Sequence, residues 1–247
     1  MSTVSMTPLS GQGTLVASWK ALARSSLDAR VVRTKTAVAA IFPAWAPLNN
    51  AILLDEPSSL TAAAATAAEL NQLYGSAGVD SWAMWLPASA TSLGASDHVA
   101  VVGGMRRDTT TLVMQLAPVN PWPEPEGIVR TSIAAAGQAG DEPVLGVDLP
   151  EPDHGVGLDA WVMVRDGLAV AGAWSVIEGT DCGIYAVGTV PVWRRRGLAT
   201  GLMHGILGDA YRRGARTATL QSTPMGQPLY RSLGFEPVGR YEEWVPA

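Results

Sequence analysis

Apolar positions along the chain fall into two different rhythms. From Leu198 to Arg213 they recur every three to four residues, with Leu198, Leu202, Ile206 and Ala210 on one stripe and Ala199, Met203 and Leu207 beside it. That is the spacing of a helix packed on a sheet, and Gly214 stands where such a helix ends. The segment SSLTAAAATAAELNQLYGSAG predicts a second helix, because alanine is the best helix former, a serine or threonine opens it and glycine follows it. Short apolar runs predict strands elsewhere: NAILLD at 50–55 beside the apolar stretch TAVAAIFPAW, SWAMWLPA, GIVRTSI, and three strands in AWVMVRDGLAVAGAWSVIEGTDCGIYAVGTV. Asp166-Gly167 and the turn from Glu178 to Asp181 are the predicted hairpin corners. Strand, strand, strand, helix, strand, helix, strand is an α+β order.

A stretch containing four prolines, LAPVNPWPEPEG at 116–127, interrupts this pattern. Proline removes the backbone donor and fixes φ, so the stretch predicts an extended, stiff connector. At 247 residues the chain is long for one core and comfortable for two. The expected organisation is therefore a first domain over 1–118 and a second over 125–247. The halves share features: LYGSAGVDSWAMWL ends a helix and opens a strand as AYRRGARTATLQ does, and SDHVAVVGGM at 96–105 lines up with SLGFEPVGRY at 232–241. A tandem plan is the expectation.

Charge and cysteine content narrow the classes of partner. Net charge is −5, and only Lys20 and Lys35 among the seventeen basic residues are lysines, which argues against a nucleic-acid or anionic-membrane surface. Cys182 is the single cysteine, excluding an internal disulfide framework and a cysteine-based zinc site. The opening MSTVSMTPLSGQG has no signal-peptide core and no run of eighteen apolar residues occurs, so a cytoplasmic protein is expected.

Basic residues then act locally, and PVWRRRGLATGL at 191–202 concentrates three arginines before a glycine at the mouth of a helix. Unpaired N–H groups and the positive end of the macrodipole lie there, and Gly197 lets the backbone close round an anion such as a pyrophosphate. Arg194, Arg195 and Arg196 add charge-assisted hydrogen bonds. No G-x-x-x-x-G-K-[ST] string and no G-x-G-x-x-G at this helix are present, which rules out a Walker or Rossmann loop. The stretch TVPVWRRRGLAT resembles the acyl-CoA-binding motif of the GNAT superfamily of N-acetyltransferases, Q/R-x-x-G-x-G/A, with Arg194, Gly197 and Ala199 at the matching positions. ATLQSTPMGQPLYRSLGFEPVGRY is similar to that superfamily's second motif, a strand, a helix carrying tyrosine, and the LGF that begins the next strand. The resemblance covers 125–247, and the first half resembles a degenerate repeat.

The resemblance implies a GNAT-like mixed twisted sheet flanked by helices, using acetyl-CoA as co-substrate and no metal. It implies that Thr189 and Val190 present backbone groups to the pantetheine arm, with a nearby N–H for the oxyanion, and that Arg195, Arg196, Gly197, Leu198, Ala199 and Thr200 ring the pyrophosphate. Tyr230 matches the general acid for the departing thiolate; packing against Phe235 is its structural alternative. Gln221, at a strand end with Ser222, either meets coenzyme or substrate or satisfies a splayed edge. No carboxylate occurs in CGIYAVGTV, so Glu178, Asp181, Glu242 and Glu243 are candidates for a base by chemistry alone. His204 reads as a packing or surface histidine, and SDH at 96–98 and EPDHG at 151–155 are assigned no function. Of the nine tryptophans, Trp82, Trp85 and Trp122 near the junction line an aromatic pocket or pack a core. The expected activity is acetyl transfer to a primary amine of a small molecule or peptide, in a chain compatible with a homodimer and with no nucleic-acid or membrane partner. An acyl-CoA-binding regulatory module is the alternative.

Overall fold

The computed structural model describes residues 8–54, 59–89, 104–131 and 157–247. SDH at 96–98, its counterpart stretch at 96–103, and EPDHG at 151–155 lie outside the described residues. Chain order is α1 (Gln12–Arg24), β1 (Arg30–Arg33), β2 (Ala37–Ile41), β3 (Asn50–Leu53), α2 (Leu60–Gly75), β4 (Ala83–Ser89) and β5 (Met105–Leu116). After the proline-rich connector come β6 (Ile128–Arg130), β7 (Asp159–Arg165), β8 (Leu168–Glu178), β9 (Asp181–Thr189), α3 (Leu198–Arg212), β10 (Thr217–Ser222), α4 (Gln227–Ser232) and β11 (Glu236–Pro246). The expected caps are present: Ser59 Oγ accepts from the Ala62 N–H at 3.1 Å, and Gly214 takes φ 93° beyond α3. Three elements have no counterpart in the sequence pattern above: α1, β1 and β5. The stripe Leu15, Trp19, Leu22, all buried, is the signal that would have found α1.

All eleven described strands form one sheet, ordered β1-β2-β3-β4-β11-β5-β10-β9-β8-β7-β6. Read inwards from either end, the plan repeats. An antiparallel meander (β1-β2-β3 or β7-β8-β9) leads through a helix to a parallel neighbour, β4 beside β3 or β10 beside β9. The last strand of each half then crosses over: β5 completes the sheet beside β10, and β11 completes it beside β4. β5 and β11 pair antiparallel at the centre, so hydrogen bonds run unbroken through both halves.

Among the described residues three large apolar cores result, with a small fourth cluster of Val162, Ala169 and Val190. Cys182, Ile184, Ala218 and Leu220 pack under α3, and Met84 and Leu86 pack under α2 with Tyr74. Val113 of β5, Trp85 of β4 and Tyr241 of β11 point to the other face, where α1 covers them with Leu15, Trp19 and Leu22. Among the described residues no helix is long and apolar enough to cross a membrane.

Candidate functional site: a parted strand pair and an uncapped helix

β9 and β10 are paired at Thr217↔Asp181, Ala218↔Cys182 and Thr219↔Gly183, and no further. Beyond that point β9 runs on to Thr189 with one edge uncovered. Tyr185 and Ala186 mark the start of the uncovered stretch; a shift against β8 falls there, and Ala186 adopts φ 52°. β10 ends at Ser222. The chain leaving β9 turns through Pro191–Trp193 to Gly197, the N-cap of α3, at φ 74° and ψ 4°. This left-handed conformation is one that glycine alone adopts without strain.

No side chain caps α3. The N–H of Gly201 already bonds the Gly197 carbonyl at 2.9 Å, so the donors left to the loop are those of the first turn, from Leu198, Ala199 and Thr200. Around them Arg194, Arg195 and Arg196 are exposed, and among the described residues none pairs with a carboxylate. Arg194 Nε donates to the Thr189 carbonyl at 3.0 Å, and Arg196 donates to the Val192 carbonyl at 3.2 Å while lying 4.9 Å from the Trp193 ring. Arg194 and Arg196 are thereby held near the helix mouth, and with Arg195 and the first-turn N–H groups they make a donor set suited to a pyrophosphate. The Val190 N–H donates to the Val170 carbonyl and its own carbonyl accepts from the Trp193 N–H, while the edge of β9 up to Thr189 stays uncovered by β10.

Residues 158–244 match the sequence profile of the acetyltransferase (GNAT) domain. The C-terminal part of this chain carries a GNAT acetyltransferase domain. Solved structures extend the likeness of fold through both halves. A GCN5-related N-acetyltransferase from Kribbella flavida is 20% identical with a TM-score of 0.65, over 94% of this chain and 93% of that one. A putative GNAT-family acetyltransferase from Novosphingobium aromaticivorans is 21% identical with a TM-score of 0.56, over 92% and 94%. A GCN5-related N-acetyltransferase from Sphaerobacter thermophilus is 16% identical with a TM-score of 0.52, over 98% and 94%. No curated protein sequence matches this one.

The remaining candidates separate by position. Tyr230 lies on α4, 7% exposed, with its ring edge-on to Phe235 at 6.0 Å, so the packing role is present whatever else the residue does. Burial pushes its phenol up to about 12, which keeps it a hydrogen-bond donor. Gln221 occupies the end of β10 opposite Val113, its side-chain nitrogen buried without a partner. Asp181 sits at the other end of β9 from Thr189, roughly 26 Å along the strand at 3.3 Å per residue. There it accepts from Thr217 and Thr219, each at 2.6 Å, and this tie closes the parallel pair. Glu178 is its neighbour across the hairpin, beside a cavity of about 510 Å³ that Lys20 and Arg33 also line. Both carboxylates are therefore far from the helix mouth. Glu242 is buried and held by Arg240 at 2.9 Å and Arg107 at 3.7 Å, whereas Glu243 is half-buried. His204 stacks on Trp122 at 4.5 Å, and Trp82 stacks on Tyr74 in the N-terminal core. Of the three tryptophans named from sequence, Trp85 alone lies on the face that α1 covers, 5.1 Å from Tyr241 and 6.3 Å from Trp19. Among the described residues no His, Cys, Asp and Glu group is arranged to hold a metal.

Proposed function

We propose that the chain is an N-acetyltransferase that moves an acetyl group from acetyl-CoA to a primary amine bound beside it. The observation that carries this reading is the α3 N-terminus: an uncapped helix start behind a left-handed glycine, with three exposed arginines that pair with no carboxylate among the described residues. The loop from Arg194 to Thr200 would take the pyrophosphate, and the edge of β9 up to Thr189 would pair with the pantetheine arm as an added strand. The amine nitrogen attacks the thioester carbonyl, the carbon–sulfur bond breaks, and the sulfur leaves as thiolate. Tyr230 is the proposed donor to that sulfur. Its raised pKa suits stabilisation of a thiolate by a hydrogen bond. The N-terminal half, a degenerate GNAT repeat in this reading, contributes β5 and α1 to the acceptor side.

Calorimetric titration with acetyl-CoA and coenzyme A tests the reading directly. Wild type is expected to bind both, and Gly197→Val to bind neither while remaining folded, because the open space round Gly197 accepts a side chain but its φ does not. Absence of binding to wild type overturns the acyltransferase reading. Binding without thiol release over a broad amine panel favours an acyl-CoA-binding regulatory module instead.

A further inference from the structure

In the sheet order β2 and β8 are far apart, with β3, β4, β11, β5, β10 and β9 between them, yet both line one cavity against α1. The sheet therefore curls round that helix. The space left along the helix flank, about 510 Å³, falls within the roughly 300–1,000 Å³ of small-molecule sites.

Positive charge gathers at one end of this cavity. Lys20 and Arg24 stand one turn apart on α1, and Arg33 of β1, paired across from Val38, lines the space with them. Arg24 belongs to the last turn of the helix, where the macrodipole favours a cation. Lys20, a turn earlier, and Arg33, on a strand, have no such local reason for their charge, and neither pairs with a carboxylate among the described residues. The carboxylate that lines the cavity, Glu178, sits beside Gly13 in the first turn of α1, where the same dipole favours an anion. From Gly13 to Lys20 is about 10 Å along the axis at a rise of about 1.5 Å per residue, so Glu178 marks the opposite end from the cations. Between the two ends the wall is apolar: Val16, Ala17 and Ile177 are half-buried, with Val38 and Val176 buried beside them.

We propose that this cavity binds a small organic anion, its carboxylate or phosphate head held by Lys20, Arg24 and Arg33 and its apolar body lying along Val16, Ala17 and Ile177. The head replaces repulsion among like charges with charge-assisted hydrogen bonds, and the body removes the apolar wall from water. A body of one to two helical turns, about 5–11 Å, spans that wall. Glu178 fixes the direction, because it repels the head from the Gly13 end. The site is separate from the α3 loop, since Glu178 and Asp181 lie at the end of β9 away from Thr189. It joins the two halves, with α1, β1 and β2 from the first and β8 from the second, and it bears on the helix that sets Thr14 against Tyr185. The inference does not depend on acetyl transfer.

Calorimetric titration with octanoate, octyl phosphate, inorganic phosphate and octylamine tests it, with thermal melts as a second readout. Wild type is expected to bind octanoate or octyl phosphate at one site and to melt at a higher temperature when saturated. Which of the two binds more tightly identifies the head as carboxylate or phosphate. Inorganic phosphate should bind more weakly than octyl phosphate, and octylamine should not bind. Lys20→Ala combined with Arg33→Ala changes two exposed side chains, so the ligand-free melting temperature should hold while anion affinity falls at least about tenfold, the scale of one charge-assisted hydrogen bond. Arg194→Ala, at the α3 loop, should leave that affinity unchanged. The site is overturned if neither octyl anion binds, if octylamine or inorganic phosphate binds as tightly as octyl phosphate, or if affinity survives the double variant and is lost in Arg194→Ala.

Discussion

At the scale of single residues, Glu243 keeps its charge at a cost to stability. Its folded-state pKa is raised, so the native state binds a proton more readily than the unfolded chain and the ionised carboxylate destabilises the fold. The sign gives a specific expectation. Glu243→Gln should melt at a higher temperature than wild type at pH 7, and the gain should fade as pH falls below the ordinary glutamate value, where both states are protonated. Thermal melts from pH 3.5 to 8 measure it; a variant less stable at pH 7 would assign the carboxylate a net structural role. Tyr230 is the converse case, a residue whose packing on Phe235 is secure and whose chemistry is proposed. Tyr230→Phe keeps the ring, so kcat should fall by roughly 10- to 1000-fold with acetyl-CoA affinity unchanged. Single-turnover and steady-state rates should agree, since slow product release otherwise masks the step. Full activity removes Tyr230 from the mechanism.

Among the elements, α1 has the most leverage on the site, although it belongs to the first half and the site to the second. It contacts the sheet where β9 and β10 stop pairing: Thr14 lies between Tyr185, Asp181 and Thr219. Gly183 allows that approach, because a Cβ there would meet the Tyr185 hydroxyl at 2.2 Å and Thr14 at 2.6 Å, closer than such atoms come. Gly183→Ala should therefore cost about 1–3 kcal/mol, the usual penalty for overpacking. Adding Thr14→Ala should recover part of the loss, a coupling that chemical denaturation of the two single variants and the double variant would measure. Strictly additive losses would mean that α1 does not bear on Gly183. The helix was overlooked in the sequence because its apolar stripe is short and begins after a left-handed glycine, Gly11, without a side-chain cap.

For the whole molecule, the exchange of β5 and β11 makes the halves interdependent. A fragment of residues 125–247 holds the GNAT domain's profile match but lacks β5, which pairs β10 on one side and β11 on the other. Without it β10 has an open edge and β11 has lost its registered partner, and unpaired apolar edges template aggregation. The fragment alone should be insoluble or associated by size exclusion, and co-expression with residues 1–124 should return a soluble complex with the far-UV spectrum of the intact chain. A monomeric, cooperatively folding fragment would show that β5 is dispensable.

Local physics was enough to read much of this protein from its residues. The α3 helix, its left-handed Gly197, the Asp166-Gly167 and Glu178–Asp181 corners and the serine cap of α2 all follow from interactions within a few positions of the chain, and each stands where the pattern put it. The loop before α3 was legible for the same reason, since one continuous stretch contains the glycine, the arginines and the helix start. Strand order was not legible. Nothing near Met105–Leu116 specifies that it lies between β10 and β11, because that choice depends on edges more than a hundred residues away. Carboxylate roles depended on the same long-range pairing. Asp181 and Glu178 lie at the end of β9 away from the α3 mouth, and Glu242 and Glu243, adjacent in sequence, acquired opposite surroundings, one paired to arginines and the other without a counter-ion among the described residues. Alternation along a strand sends neighbours to opposite faces, and only the packed sheet decides what each face meets.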